Sequence, residues 1–241
     1  MQEVILHHKD EFRQLLAQYQ PSDEAKQLLA AMPLVLLQGI TGSGRNSIIT
    51  YLVEHMSYHQ IVSDTTRPPK IRDGKMEENG VAYFFRSEEE VLADLRKGMF
   101  LEAELIHDQQ VSGISIRELE RAYKSNKTPI NEVAREGVEN IRRAKPDTMV
   151  FFVVPPSYDE WIRRLKGREQ MTPEEFNNRK NSAILELQEA LEAGHFTFVI
   201  NETLEQSAND IIETRENGIN QDKQQAGRAA AQEILAALHA N

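Results

Sequence analysis

Apolar and polar positions along the chain fall into two periods, and the switches between them predict a run of alternating strands and helices. Phe12, Leu15, Leu16 and Tyr19 recur at helical spacing, which predicts helix over residues 3–31. The stretch Gln20-Pro21-Ser22-Asp23 breaks it into two pieces, with Ser22 as the cap of the second. After Pro33, the run Leu34 to Leu37 is uniformly apolar and reads as a buried strand. Ile48, Ile49, Leu52, Val53 and Met56 return to helical spacing. Short strands are expected at 60–63 and 81–85. Ser87 and Glu90 make a capping box for a helix that runs to Lys97 and stops at Gly98.

The second half repeats the alternation. Strand 100–106 is followed by a turn or short strand at 111–113, helix 116–125, strand 128–133 and helix 136–144. Residues 149–154, M-V-F-F-V-V, form the clearest buried strand, ended by Pro155-Pro156. Ser157 caps a helix over 158–166, and Gly167 ends it. Thr172-Pro173-Glu174-Glu175 carries cap, first-turn proline and capping-box glutamate together, so a helix should run from there to about Ala193. A last strand at 196–200 and a helix at 204–216 follow. Residues 219–227 are polar and glutamine-rich and read as a linker, before an alanine-rich amphipathic helix at 228–239 with Ile234, Leu235 and Leu238 on one side. Strands that alternate with helices argue for a mostly parallel sheet covered on both faces. Residues 64–113 depart from this pattern; they are strand-rich and polar and read as a small lobe inserted into the sheet.

Composition narrows the class. The chain has 241 residues, 40% of them apolar, enough for one α/β domain with appendages or two small domains. It has no cysteine, which excludes disulfides and thiolate metal sites and fits a reducing compartment. No long uncharged apolar run is present, and the first residues lack a basic-then-apolar layout, so a soluble cytoplasmic protein that binds no membrane is expected. With a net charge of −10, a general nucleic-acid surface is not expected, although a few clustered arginines can still bind an anion.

The chemistry concentrates in four places. Gly39 to Ser47, G-I-T-G-S-G-R-N-S, links a buried strand to a helix start. Glycines there let backbone N–H groups converge on an anion, and the helix N-terminus adds partial positive charge. Gly39 and Gly44 have the spacing of a phosphate loop, but Arg45 and Asn46 stand where that motif has lysine and a hydroxyl residue. Arg67, Lys70 and Arg72 cluster just past a strand's C-terminal end, where open α/β sheets place ligands. Glu102 and Glu104 share one strand face, which is either an edge facing water or a recognition surface. Arg163, Arg164, Arg168 and Arg179 flank a short gap between helices, either a lid over phosphates or a solvated junction.

Taken in order, the phosphate loop, S-x-T-T-R, Y-x-F, F-L-E, P-P-S, the arginine-flanked gap and a final strand ending in Asn resemble guanylate kinases over residues 33–217. The resemblance implies a P-loop three-layer α/β/α fold, a monophosphate-binding lobe at 64–113, and a short lid with its flanks at 164–179. Residues 1–32 would be an N-terminal helical extension, and 218–241 a linker and C-terminal helix. It implies transfer of the γ-phosphoryl of ATP to GMP with Mg²⁺, by a monomer or homodimer. On this resemblance Gly39, Gly42, Ser43, Gly44, Arg45, Asn46, Ser47 and Asn201 hold ATP, with Asn46 toward the metal. Ser63, Arg67, Lys70, Tyr83 and Glu102 hold GMP. Arg45, Arg164, Arg168 and Arg179 meet the transferring phosphates. A carboxylate at Glu102 suits guanine, whose N1–H and exocyclic amine are adjacent donors.

The departures are equally specific. Lys70 replaces an arginine, 109–113 lacks the second phosphate-holding tyrosine, Glu132 alone remains of a paired-carboxylate stretch that has Ala134 at its end, and 74–79 resembles an insertion. Arginine is longer and planar where lysine is a compact point charge. The alternatives are a catalytically inactive binding module of the same fold and a kinase for another monophosphate such as dGMP.

Overall fold

Caps and breakers set most of the element boundaries. The computed structural model describes residues 6–72, 74–133, 135–167 and 171–240. The N-terminal segment forms α1 (Lys9–Ala17) and α2 (Asp23–Ala30), with the Ser22 side chain accepting from the Ala25 N–H as the cap of α2. Fully buried β1 (Val35–Gln38) runs through the glycine-rich turn into α3 (Arg45–His55). Five short strands follow: β2 (Tyr58–Gln60), β3 (Asp64–Thr65), β4 (Ile71–Arg72), β5 (Lys75–Met76) and β6 (Phe84–Phe85). The Ser87–Glu90 capping box is complete and opens α4 (Glu88–Arg96).

β7 (Phe100–Ile106) and β8 (Gln110–Ser115) come next, then α5 (Ile116–Lys124), β9 (Thr128–Glu132) and α6 (Arg135–Ala144). β10 (Met149–Val154) leads to α7 (Tyr158–Lys166), capped by Ser157. The second complete capping box, Thr172 with Glu175, opens α8 (Pro173–Glu192). β11 (Phe196–Ile200), α9 (Leu204–Asn217) and α10 (Gln221–Ala240) complete the order.

The larger sheet has the order β11-β10-β1-β9-β2, and β1 pairs in parallel with β10 and β9, as β10 does with β11. The smaller sheet has the order β6-β3-β8-β7 and contains antiparallel pairs; β4 and β5 form a separate hairpin. The fold is thus α/β with a mostly parallel central sheet, as expected.

The chain divides into two units, 34–58 with 130–138 and 149–241, and 1–33 with 59–129 and 139–148. In the first, Val35, Leu37, Phe151 and Val153 of the sheet pack with Ile48, Ile49 and Leu52 of α3 and with Ala208 and Ile211 of α9. In the second, Phe12 of α1 packs with Val91, Leu92 and Leu95 of α4 and with Phe100 and Val111 of the smaller sheet.

Of the turn and the short strand expected at 111–113, the strand holds, as part of the six-residue β8, paired on both edges. Three expectations are revised. The strand expected at 60–63 ends at Gln60, and that at 81–85 is reduced to Phe84–Phe85. The polar stretch 219–227 is mostly helix, because α10 begins at Gln221. Gly227 lies inside α10 and lets it approach β11: a Cβ there would stand 2.6 Å from Phe198 Cβ. Ile234 and Leu238 of the same helix are buried.

Candidate functional site

The glycine-rich turn is built by backbone geometry that only glycine tolerates. Gly42 and Gly44 have φ of +89° and +96°, in the left-handed region. A Cβ on Gly44 would also fall 2.2 Å from Asn201 Nδ2. Gly44 is the N-cap of α3 and offers no side-chain cap, so the first N–H groups of that helix have no intrahelical partner, an arrangement suited to an anion.

Side chains from α7 and the end of β11 hold the loop in shape. Asn201 Nδ2 donates to the Ser43 carbonyl at 2.7 Å, and Trp161 Nε1 donates to the Thr41 carbonyl at 2.8 Å. Arg164 donates to the Asn201 carbonyl at 2.9 Å and to the Ser43 carbonyl at 3.3 Å. Its Nε donates to Glu160 at 2.7 Å. Arg163 and then Arg164 hold the Glu160 carboxyl down at about 2. Beside the loop a cleft of about 370 Å³ is lined by Gly42, Gly44, Ser47, Arg164, Asn201 and Glu202. Its walls are polar: backbone edges, the Asn201 amide, the Glu202 carboxylate and the guanidinium groups of Arg163 and Arg164.

Arg45 and Asn46 both meet Glu132. Arg45 Nε lies 3.8 Å from Glu132 Oε2. The Asn46 amide nitrogen, oriented to satisfy both partners, donates to Glu132 Oε2 at 2.8 Å. Burial pushes the Glu186 carboxyl of α8 up to about 7, with Arg45 opposing and Glu189 adding to the rise. Arg179 is half-buried on α8. Arg168 lies outside the described residues.

The other unit carries Ser63, Arg67, Lys70, Tyr83 and Glu102. Arg67 is buried, and its guanidinium forks onto Glu77, with Nη1 2.5 Å from Oε2 and Nη2 3.0 Å from Oε1. A third N–H of Arg67 reaches the Pro68 carbonyl at 2.9 Å. The guanidinium stacks over Tyr83, 4.8 Å from the ring centroid, a cation–π contact. Lys70 is exposed and donates its backbone N–H to Glu77. The half-buried Ser63 accepts from Phe84 through its backbone carbonyl. Ser112, in the stretch that lacks the second tyrosine, shares a 2.8 Å hydrogen bond with Thr65.

Glu102 and Glu104 are both half-buried, so their face of the strand is only partly open to water. Desolvation first, and the Glu104 charge second, push the Glu102 carboxyl up to about 8. Asn140 donates to Glu104 at 3.2 Å. Glu102 lines a cavity of about 230 Å³ together with Tyr19, Ala103 and Asn140. Among the described residues, no group of three His, Asp or Glu side chains could cage a metal ion.

Two partners escape a sequence reading. Glu160 is findable, since Arg163 and Arg164 lie three and four residues on and meet it on one helix face. Glu77 is not, because its pairing with Arg67 crosses the β4–β5 hairpin and leaves no local spacing.

Comparison with known proteins adds a family. The model of the guanylate kinase family matches residues 31–217. A guanylate kinase of Polaromonas sp. is 33% identical over 180 residues, covering 74% of this chain and 84% of that protein. One of Bifidobacterium longum is 33% identical over 183 residues, covering 74% and 90%. Guanylate kinase 1 of Arabidopsis thaliana is 30% identical over 175 residues, covering 71% and 44%. The crystal structure of guanylate kinase from Anaplasma phagocytophilum superposes with a TM-score of 0.51 at 18% identity, covering 86% of this chain and 95% of that one. At that identity the likeness concerns the fold. No helix among the described residues is long and apolar enough to cross a membrane.

Proposed function

Since the chain belongs to the guanylate kinase family, we propose that it transfers the γ-phosphoryl group of ATP to GMP, giving ADP and GDP. The observation that carries this reading is the family match across residues 31–217, which takes in both candidate sites.

On this reading ATP sits on the loop 39–47. The N–H groups at the start of α3 take its phosphates, while Arg164 and Asn201, which already fix the Ser43 carbonyl, border the cleft for its nucleoside. Arg45 supplies charge to the phosphates, with Arg164, Arg168 and Arg179 near the transferring group. Such transfer needs positioning and charge neutralisation more than covalent help.

GMP is held in the other unit, its base by Glu102 and Ser63 and its phosphate by Arg67, Lys70 and Tyr83. Desolvation of Glu102 serves selectivity, because a carboxylate short of water gains most from the paired donors of guanine.

The donor set fits Mg²⁺ only as a companion of the nucleotide. The carbonyl oxygen of Asn46 and the carboxylate of Glu132 would hold it, and hard oxygen donors suit it. When bound it neutralises charge on the phosphates. We assign the reaction to the cytoplasm, in keeping with a chain that has no cysteine.

The test follows ADP release by coupled NADH oxidation, with and without GMP. GMP-dependent turnover in the presence of Mg²⁺ is expected. ATP consumption that GMP does not stimulate, at micromolar enzyme, would leave the inactive binding module as the better reading. Calorimetry with GMP and MgATP separately then divides recognition from transfer.

A further inference from the structure

The matched region begins at residue 31, and α1 and α2 lie before it. They are nonetheless joined to the strand that carries Glu102. β7 is one of the two edge strands of the smaller sheet. An edge strand leaves every second N–H and C=O unpaired on one side, and Tyr19, just past α1, takes one such pair. The Phe100 N–H donates to the Tyr19 hydroxyl at 2.7 Å, and that hydroxyl donates to the Phe100 carbonyl at 2.8 Å. One phenol thus substitutes for a missing neighbouring strand at a single residue.

The place matters. Pairing of β7 with β8 shifts between Phe100 and Glu102, so Leu101 is the extra residue of a bulge. Bulges re-aim the side chains that follow them, and the side chain that follows is Glu102. A bulge at a sheet edge is held on one side only, unless something holds the other. Tyr19 does so, and the Ser22 N–H donates to the Gly98 carbonyl at 3.0 Å two residues upstream. Tyr19 and Glu102 also face the same cavity. Burial raises the phenol to about 12, so it stays a neutral donor and acceptor.

We infer that Tyr19 is a positioning residue for base recognition: its hydroxyl fixes the bulge that aims Glu102, and the N-terminal helices are thereby part of the acceptor site. The inference rests on the reading of Glu102 as the guanine acceptor.

The test compares kcat/KM for GMP with that for inosine monophosphate, which lacks the exocyclic amine, in wild type, Tyr19→Phe, Glu102→Gln and Leu15→Ala. Phenylalanine keeps the ring and removes only the hydroxyl. Leu15 packs on the same core without touching β7 through a hydrogen bond, so Leu15→Ala reports loosened helix docking. The GMP preference should fall about tenfold in Tyr19→Phe through KM for GMP, with kcat and KM for ATP within twofold of wild type. It should collapse in Glu102→Gln and hold in Leu15→Ala even where melting temperature drops. A collapse in Glu102→Gln with none in Tyr19→Phe overturns the inference and spares the site. No change in Glu102→Gln overturns the reading of Glu102 itself. A fall in Leu15→Ala as large as in Tyr19→Phe assigns the effect to docking and overturns the role of the hydroxyl.

Discussion

Replacing Arg45 by lysine tests what the altered loop does to donor binding. The Arg45 guanidinium is drawn to Glu132, with Nε 3.8 Å from the carboxylate and the two side chains 23% and 41% exposed. At that separation and an effective dielectric near 20, the attraction is about 4 kcal/mol before screening. Exposure of this degree brings the net value to about 1 kcal/mol or less. The polyphosphate of ATP, with several charges, can therefore draw the side chain away, at a cost below tenfold. A well-placed cation in a transfer site is worth about 3 kcal/mol, or roughly a hundredfold in rate. Arginine secures part of that, because its fork is longer and wider than the space an ammonium fills. Arg45→Lys should thus raise kcat about fivefold to tenfold, with KM for GMP unchanged. Arg45→Ala should lower kcat about tenfold to twentyfold, the part of that hundredfold which arginine secures. The coupled ADP assay at saturating GMP reads both. A lysine variant slower than wild type would mean that the guanidinium is the better-fitted group. An alanine variant with more than a third of wild-type activity would remove position 45 from the phosphates altogether.

Glu77→Ala strands the Arg67 guanidinium, both partners being about 5% exposed or less; breaking such a pair costs about 3–5 kcal/mol, so calorimetry should show the melting temperature of the ligand-free protein falling by about 10 °C. The Glu102 carboxyl titrates near 8 in the fold, above its unfolded value, so the ligand-free protein loses stability as pH rises from about 4.5 to 8. The ionised form that guanine needs gains population over the upper part of that window. Affinity for guanosine, which has no titrating phosphate, should therefore rise about tenfold per unit between pH 6 and 7.5, and Glu102→Gln should flatten both trends. Gly227→Val places a side chain 2.6 Å from Phe198 Cβ; such overpacking costs about 1–3 kcal/mol, and hydrogen exchange should quicken in α10 ahead of β1.

The parts of the fold that were legible in the sequence are those set by local chemistry. Ser22, Ser87, Ser157 and Thr172 each cap a helix where the side-chain pattern places one, because a cap needs only residues three positions apart. The strands at 100–106, 149–154 and 196–200 match to the residue, since apolar runs bounded by glycine or proline leave little choice. β8 was obscured by Gly113, which reads as a turn former. It is a close-packing residue, where a Cβ would lie 2.4 Å from the Glu102 carbonyl oxygen. Gly227 misleads in the same way. A glycine chosen for its missing side chain looks in sequence like one chosen for its backbone freedom.

The same distinction separates the two candidate sites. The loop at 39–47 is legible because its chemistry is carried by consecutive backbone groups, and glycine spacing encodes those directly. The arginine seat is not, because what matters there is how many partners one group can meet. A guanidinium has five N–H groups, and Arg67 commits two to Glu77 and one to Pro68. The rest of the group meets Tyr83, through a side-chain hydrogen bond and by stacking over the ring. Lysine, with three donors and no plane, would spend all of them on the same partners. That is the physical reason for arginine at position 67, whereas exposed Lys70 meets Glu77 through its backbone N–H and carbonyl and needs no fork. A chain carrying a net charge of −10 can bind a nucleotide only where its cations are held by acids without being used up by them.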